Sequence, residues 1–227
     1  MGIKSEFKLC VRQLAQRILG YNLYTEKTFK NAILSILNYK NINTEYSSSF
    51  DASYYQKLHE ENQHFINNNW LLNDIDLVIK SKPSVITELA CGNGDFSRKV
   101  SEYCDTVYAV DWARSAKIEN MPPNVQFLQR NIVSEEIPAS DVVCSADFLE
   151  HLPEDILQQT ISKIVKSANH GYHKIACYDD GHSHLSILPP WLWLSYFQTI
   201  DKKYKITEID FRRGNIEHSV ITVSNFI

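Results

Sequence analysis

The pattern of apolar and polar positions changes character near residue 83. From Ser53 to Lys80, apolar residues recur at helical spacing (Tyr54, Leu58, Phe65, Trp70, Leu71, Ile75, Val78, Ile79), and Pro83 closes that segment. Beyond it, short β-branched runs alternate with helical stretches. "SVITEL" predicts a buried strand, Asp95 to Tyr103 a helix, and "TVYAVD" a second strand. "VQFLQRN" predicts a third strand after the turn "MPPN", and "DVVCSA" a fourth. Pro153 to Ala168 predicts a helix, with Pro153 and Glu154 suited to its first turn. "HKIACY" predicts a fifth strand and Pro190 to Thr199 an apolar, Trp-rich helix. "YKITEIDF" and "HSVITVSNF", joined by "RRGN", predict an antiparallel hairpin. Strands alternating with helices imply a three-layer α/β sandwich. Its seven-stranded sheet is mostly parallel, with an antiparallel C-terminal hairpin.

Residues 1–50 stand apart. "FKLCVRQLAQRILG" places Phe7, Val11, Leu14, Ile18 and Leu19 near one helical face, and residues 1–40 carry seven Lys/Arg against Glu6 and Glu26. They predict a helical extension packed on the main domain, with a membrane-surface or protein contact as the alternative role. The polar stretch "NYKNINTEYSSSFD" reads as the loop leading to a second unit, residues 51–227.

Composition narrows the class. An apolar share of 44% with 22% charged residues is ordinary for a globular protein, and no apolar run is long enough to span a bilayer. A cytoplasmic location is the default expectation. Five scattered cysteines without a CxxC pair predict neither a disulfide frame nor a zinc finger. A net charge of −4 argues against broad nucleic-acid binding.

The densest chemistry lies in "VITELACGNGDFSRKV", where a strand ends on Glu88 and a turn holding Gly92 and Gly94 leads into a helix. In a parallel sheet, ligands bind beyond the C-terminal strand ends, and these glycines let backbone approach one closely. A dinucleotide would want a third glycine where Ser97 stands, and a diphosphate would be repelled by Asp95 at the helix start. A ligand carrying an ammonium and a sulfonium suits Glu88 and Asp95 better.

"ELACGNGDFS", "VYAVD", "FLQRNI" and "DVVCSADFLEHL" follow one another in the order and spacing of the class I S-adenosylmethionine-dependent methyltransferases. Residues 50 to 227 resemble that family, whose fold is Rossmann-like, with sugar and small-molecule O-methyltransferases the nearest likeness. The chain departs from the pattern in Ala90 for the first glycine and Asn131 for an aspartate. The resemblance implies S-adenosylmethionine as cofactor. Glu88 would orient the methionine amino group, and Ala90, Cys91 and Gly92 would line methionine and ribose. Asp111 would accept the ribose hydroxyls and Trp112 would pack on the adenine. Asn131 and Ile132 would read the adenine edge, and Ala146 and Asp147 would close the methionine side.

For a hydroxyl acceptor, the enzyme must align it and remove its proton. His151, His182 and His184 are the candidate bases, with Asp147 and Glu150 beside them. Asp147, Glu150 and His151 stand at i, i+3 and i+4. With His182 or His184 they resemble the metal set of O-methyltransferases acting on phenols or RNA ribose, which implies Mg²⁺ or Mn²⁺. "GHSHLSILPPWLWLSYF" resembles a loop and helix of sugar-modifying methyltransferases. Trp191, Trp193, Tyr196 and Phe197 would then offer aromatic surface at the active-site mouth, and Tyr54 and Tyr55 a helical lid. The expected function is O-methylation of a small hydroxylated acceptor such as a sugar or glycan terminus, as in polysaccharide biosynthesis. N-methylation, a phenolic or RNA-ribose acceptor, and a non-catalytic cofactor-binding subunit are the alternatives.

Overall fold

A computed structural model describes residues 51–226; the basic extension lies outside the described residues. The helical segment before the sheet is broken where one run was expected. α1 spans Ala52–Glu61 and is capped by Asp51, whose carboxylate accepts the Ser53 and Tyr54 N–H groups at 3.0 and 3.1 Å. α2 (Gln63–Asn67) is a single turn, and α3 (Ile75–Val78) lies between two 3₁₀ turns. The interruption falls on the asparagines after α2. Asn69 turns its side-chain oxygen onto the Leu71 N–H at 3.0 Å, a local bond that competes with helix continuation.

The sheet then builds as expected. β1 (Val85–Leu89), β2 (Thr106–Asp111), β3 (Val125–Gln129), β4 (Ser140–Ala146) and β5 (Ala168–Ala176) are parallel. β6 (Lys205–Phe211) and β7 (Ser219–Ser224) form the hairpin, and β7 inserts antiparallel beside β5. The order β3-β2-β1-β4-β5-β7-β6 reverses between β1 and β4, which opens a crevice at their C-terminal ends. α4 (Asp95–Val100) follows β1, α5 (Glu154–Ser167) follows β4, and α6 (Pro190–Gln198) follows β5. One face of the sheet packs Leu89, Val143 and Ile221 against Ile161 of α5 and Trp193 of α6, and the other packs Ile86, Val107 and Val142 against Phe96 of α4.

Two sequence expectations are corrected here. β5 begins at Ala168, directly from α5, rather than at His173. Its first half is polar and holds Gly171, yet it is paired with β4 along its length. The aromatics of α6 do not surround a ligand. Trp193 and Phe197 are fully buried in the core beneath the sheet, Tyr196 is partly buried against it, and Trp191 is 61% exposed. None of the four lines the crevice.

Candidate active site

The crevice is a single cavity of about 630 Å³, walled by the carboxyl ends of β1, β2, β4 and β5, by α1 and by the turn of the β6–β7 hairpin. One end is built by the loop after β1. Ala90, Gly92 and Gly94 all take positive φ (53°, 56° and 72°), which curls the chain tightly back. Ala90 therefore keeps the left-handed turn of the glycine it replaces, at a strain of about 1 kcal/mol. A side chain at Gly94 would be strained at this φ and would have to push aside the tips of Met121 and Ile118. Asn93 is buried and donates to the Ile66 and Asn68 carbonyls at 3.2 and 3.1 Å, tying the loop to the strand of asparagines before it.

Glu88 lies at the base of this loop, buried. It accepts from the Ser97 hydroxyl and from the Asn69 amide. Ser97 thus occupies the third fingerprint position as a partner for Glu88. Burial raises the Glu88 carboxyl to about 8, against the opposing pull of Ser97 and Asn69. Asp111, at the end of β2, accepts the Gly92 N–H at 2.8 Å and the Ala113 N–H at 2.9 Å. Burial raises it, and the imidazole of His59 opposes that rise. Trp112, Ile132, Ala146 and Cys91 line the same end, as does Asn131, one of whose side-chain lone pairs is taken by the Val133 N–H at 3.0 Å.

The other end is polar and aromatic. Asp147 leaves β4 at φ 51° and accepts a charged hydrogen bond from Arg212, on the hairpin turn. The Arg212 guanidinium lies over the Trp70 indole, 4.2 Å from the ring centroid, and donates to the Tyr178 hydroxyl at 3.3 Å. Beyond Asp147, a short turn presents Glu150 and His151. The loop after β5 folds around Asp180, whose carboxylate accepts the N–H groups of His182, Ser183 and His184 and the Ser183 hydroxyl. His151 Nδ1 meets the Ser183 carbonyl at 3.0 Å, and His184 Nδ1 meets the Tyr178 carbonyl at 2.6 Å. A carbonyl only accepts, so both rings carry a hydrogen on Nδ1. The ring centroids lie 4.9 Å apart. Burial, with His184 beside it, lowers His151 to about 4, so it is neutral at physiological pH.

The set brought together differs from the one expected. Glu150, His151 and His184 place ligand atoms within 4.8 Å of one another. Asp147 is held by Arg212 instead, and His182, half exposed, bridges the Tyr54 hydroxyl (3.1 Å) and Asp180 (3.3 Å). Glu150 gives one oxygen to the Ala176 N–H at 2.8 Å; its other oxygen is buried without a partner. Tyr55 lines the cavity with its ring edge toward His151, so α1 does form a wall over the site. Aromatic surface at the mouth comes from Trp70, Tyr55, Phe148 and Tyr178 rather than from α6. Sequence reasoning missed Arg212, Asn69, Asn93 and His59. Only Asn93, inside the glycine loop, carried a local signal.

No family model matches the sequence, and no curated protein matches it. Solved structures do. Burkholderia thailandensis 1,6-didemethyltoxoflavin-N1-methyltransferase, solved with 1,6-didemethyltoxoflavin and S-adenosylhomocysteine, superposes with a TM-score of 0.63 at 12% identity, over 82% of this chain and 90% of that one. The N-methyltransferase NodS from Bradyrhizobium japonicum WM9, with S-adenosylhomocysteine, gives 0.58 at 13% identity over 77% and 98%. Human N-acetylserotonin methyltransferase with S-adenosylmethionine gives 0.52 at 11% identity over 88% and 67%. The chain has the class I S-adenosylmethionine-dependent methyltransferase fold.

Proposed function

We propose that the protein is an S-adenosylmethionine-dependent methyltransferase that O-methylates a small hydroxylated acceptor, in the first place a sugar or glycan terminus. One observation carries this reading: a single cavity joins an acid-lined, left-handed loop to the neutral imidazole of His151, with His184 beside it. The loop end fits the cofactor. Glu88 suits an ammonium, Asp111 keeps lone pairs for ribose hydroxyls, and Trp112 and Ile132 offer apolar surface to a base. When bound, S-adenosylmethionine supplies a methyl group activated on a sulfonium. The chain's own residues have then to hold the acceptor and take its proton. His151, with His184 beside it, presents a lone pair for that proton, and Trp70, Tyr55 and Tyr178 give faces on which a sugar ring stacks. A dinucleotide is disfavoured because Glu88 and Asp111 would both face a diphosphate; Asp95, expected to do the same, lies outside the cavity and pairs with Lys117 at 3.3 Å.

The test is a tritiated-methyl assay against fractionated extract, paired with calorimetric titration of S-adenosylhomocysteine and NAD. Transfer to a carbohydrate fraction supports the reading. Heat from NAD alone overturns it, and cofactor binding without transfer to any fraction favours a non-catalytic subunit. Glu88 gives an internal check. At pH 7 a carboxyl raised to about 8 is mostly protonated in the free chain, and an ammonium beside it favours ionisation. S-adenosylhomocysteine binding is therefore expected to release close to one proton, read from titrations in buffers of different ionisation enthalpy. Glu88→Gln should release none. Proton uptake, or release unchanged in the variant, would remove Glu88 from the ammonium site.

A second reading is favoured by Glu150. Its buried carboxylate, with one oxygen unpartnered, lies within 4.8 Å of a ring nitrogen of His151 and of His184, a set that a cation would satisfy, its charge offsetting the burial that raises the Glu150 carboxyl. Glu150, His151 and His184 would hold Mg²⁺ or Mn²⁺. Such an ion lowers the pKa of a bound hydroxyl. Chelation with EDTA is then expected to reduce turnover at least about a hundredfold, with recovery on adding Mn²⁺. Turnover that survives chelation leaves His151 as the base.

A further inference from the structure

The cofactor end of the cavity is strongly acidic. Glu88 and Asp111 face it, and the methionine portion of S-adenosylmethionine adds a carboxylate of its own. Among the described residues that line the cavity, the cationic or protonatable side chains are Arg212, Arg213 and five histidines. Arg212, Arg213, His151, His182, His184 and His218 all come from the acceptor end, on the hairpin or on the segments after β4 and β5. The one basic side chain at the cofactor end is His59.

His59 is carried on the inner face of α1, four residues after Tyr55, and is 7% exposed. Its ring stands over the glycine loop: Cε1 lies 3.7 Å from where a Cβ on Gly92 would sit. Phe65 packs edge-on against it at 5.9 Å. Its Nδ1 is buried and makes no hydrogen bond. A nitrogen shut away from water without a partner is rare and costs roughly 1–3 kcal/mol. A half-turn of the ring exchanges Cε1 with Nε2 and puts an N–H donor over Gly92 without moving α1. Gly92 leaves open space there, which a side chain would fill.

We propose that His59 is a cofactor-binding residue whose imidazole donates to the methionine carboxylate of S-adenosylmethionine, so that α1 closes the cofactor end as well as the acceptor end. This rests on the cofactor reading above. The carboxylate is the one anionic group on the ligand, and among the described residues that line the cavity His59 is the one basic side chain beside the glycine loop; Lys117 lies outside the cavity, paired with Asp95. Gly92, beneath the ring, must therefore stay small for a reason beyond its φ.

The test compares two ligands that differ at this group. S-adenosylhomocysteine carries the methionine carboxylate; 5′-methylthioadenosine keeps the adenosine and sulfur but lacks it. Both are titrated into the full chain and into His59→Ala and His59→Gln. His59→Ala is expected to weaken S-adenosylhomocysteine about tenfold or more and to leave 5′-methylthioadenosine within about twofold. His59→Gln, which donates without charge, should fall between and carries the comparison if the alanine variant does not fold. Equal losses on both ligands, or no loss on either, would overturn the assignment. A wild-type chain that binds neither ligand overturns the cofactor reading itself.

Discussion

Asp111→Ala is expected to weaken S-adenosylhomocysteine binding about a hundredfold, equivalent to roughly 3 kcal/mol. The loss has two sources. Asp111 is the acceptor for the Gly92 and Ala113 N–H groups, so its removal frees the glycine loop from β2 and leaves two buried donors unpaired. It also removes the charged acceptor that suits vicinal hydroxyls. Asp111→Asn keeps one carbonyl acceptor and should lose less. Calorimetric titration measures the binding term, and thermal unfolding of the free variants separates it from damage to the loop. Unchanged affinity in Asp111→Ala would place the cofactor elsewhere.

Gly171→Val carries the largest expected cost to stability, roughly 3 kcal/mol and about 10 °C in Tm. Gly171 lies inside β5, where any Cβ would collide with the Tyr204 hydroxyl and press on His173. Tyr204 is buried and leads from α6 into β6, and Asn225, just past β7, accepts the Gly171 N–H at 2.8 Å. The Tyr204 ring is rigid and, like His173, fully buried, so neither can swing aside without repacking the core. The hairpin must shift, and Arg212 with it. Turnover at a temperature where the variant remains folded should therefore also fall. An unchanged melting temperature would show that Tyr204 can be displaced without cost.

The strands of the parallel sheet were legible because strands buried on both faces read as β-branched runs. β1, β2 and β4 fall within one residue of their sequence bounds for that reason. The start of β5 was not legible. "ANHGY" has no apolar alternation, and its place is fixed by pairing with β4 rather than by its own composition. The single helix expected over residues 53–80 failed at the asparagines, whose side chains satisfy local backbone instead. The glycine-loop end of the cavity was readable because its parts sit in local order: strand, acid, tight turn, helix. The other end depends on pairings between distant residues. Asp147 and Arg212 stand 65 positions apart, and nothing near "DFLEHL" says that the first acid belongs to an arginine. The choice of His184 over His182 follows from the Tyr178 carbonyl and the Asp180 turn, which orient one ring inward and send the other to Tyr54. The α6 aromatics show the reverse error. A Trp-rich stretch near a predicted site is more often packing, and Trp193 and Phe197 are packing.

The placement of β7 has a consequence for biosynthesis. Because β7 lies between β5 and β6 rather than at an edge, β6 has no neighbour to pair with until β7 arrives. During translation the amino-terminal portion emerges first. The glycine loop, Glu88 and Asp111 can come together on the ribosome while the opposite end of the cavity still lacks Arg212. A small molecule held at the loop end would then steady the unfinished sheet before the hairpin arrives.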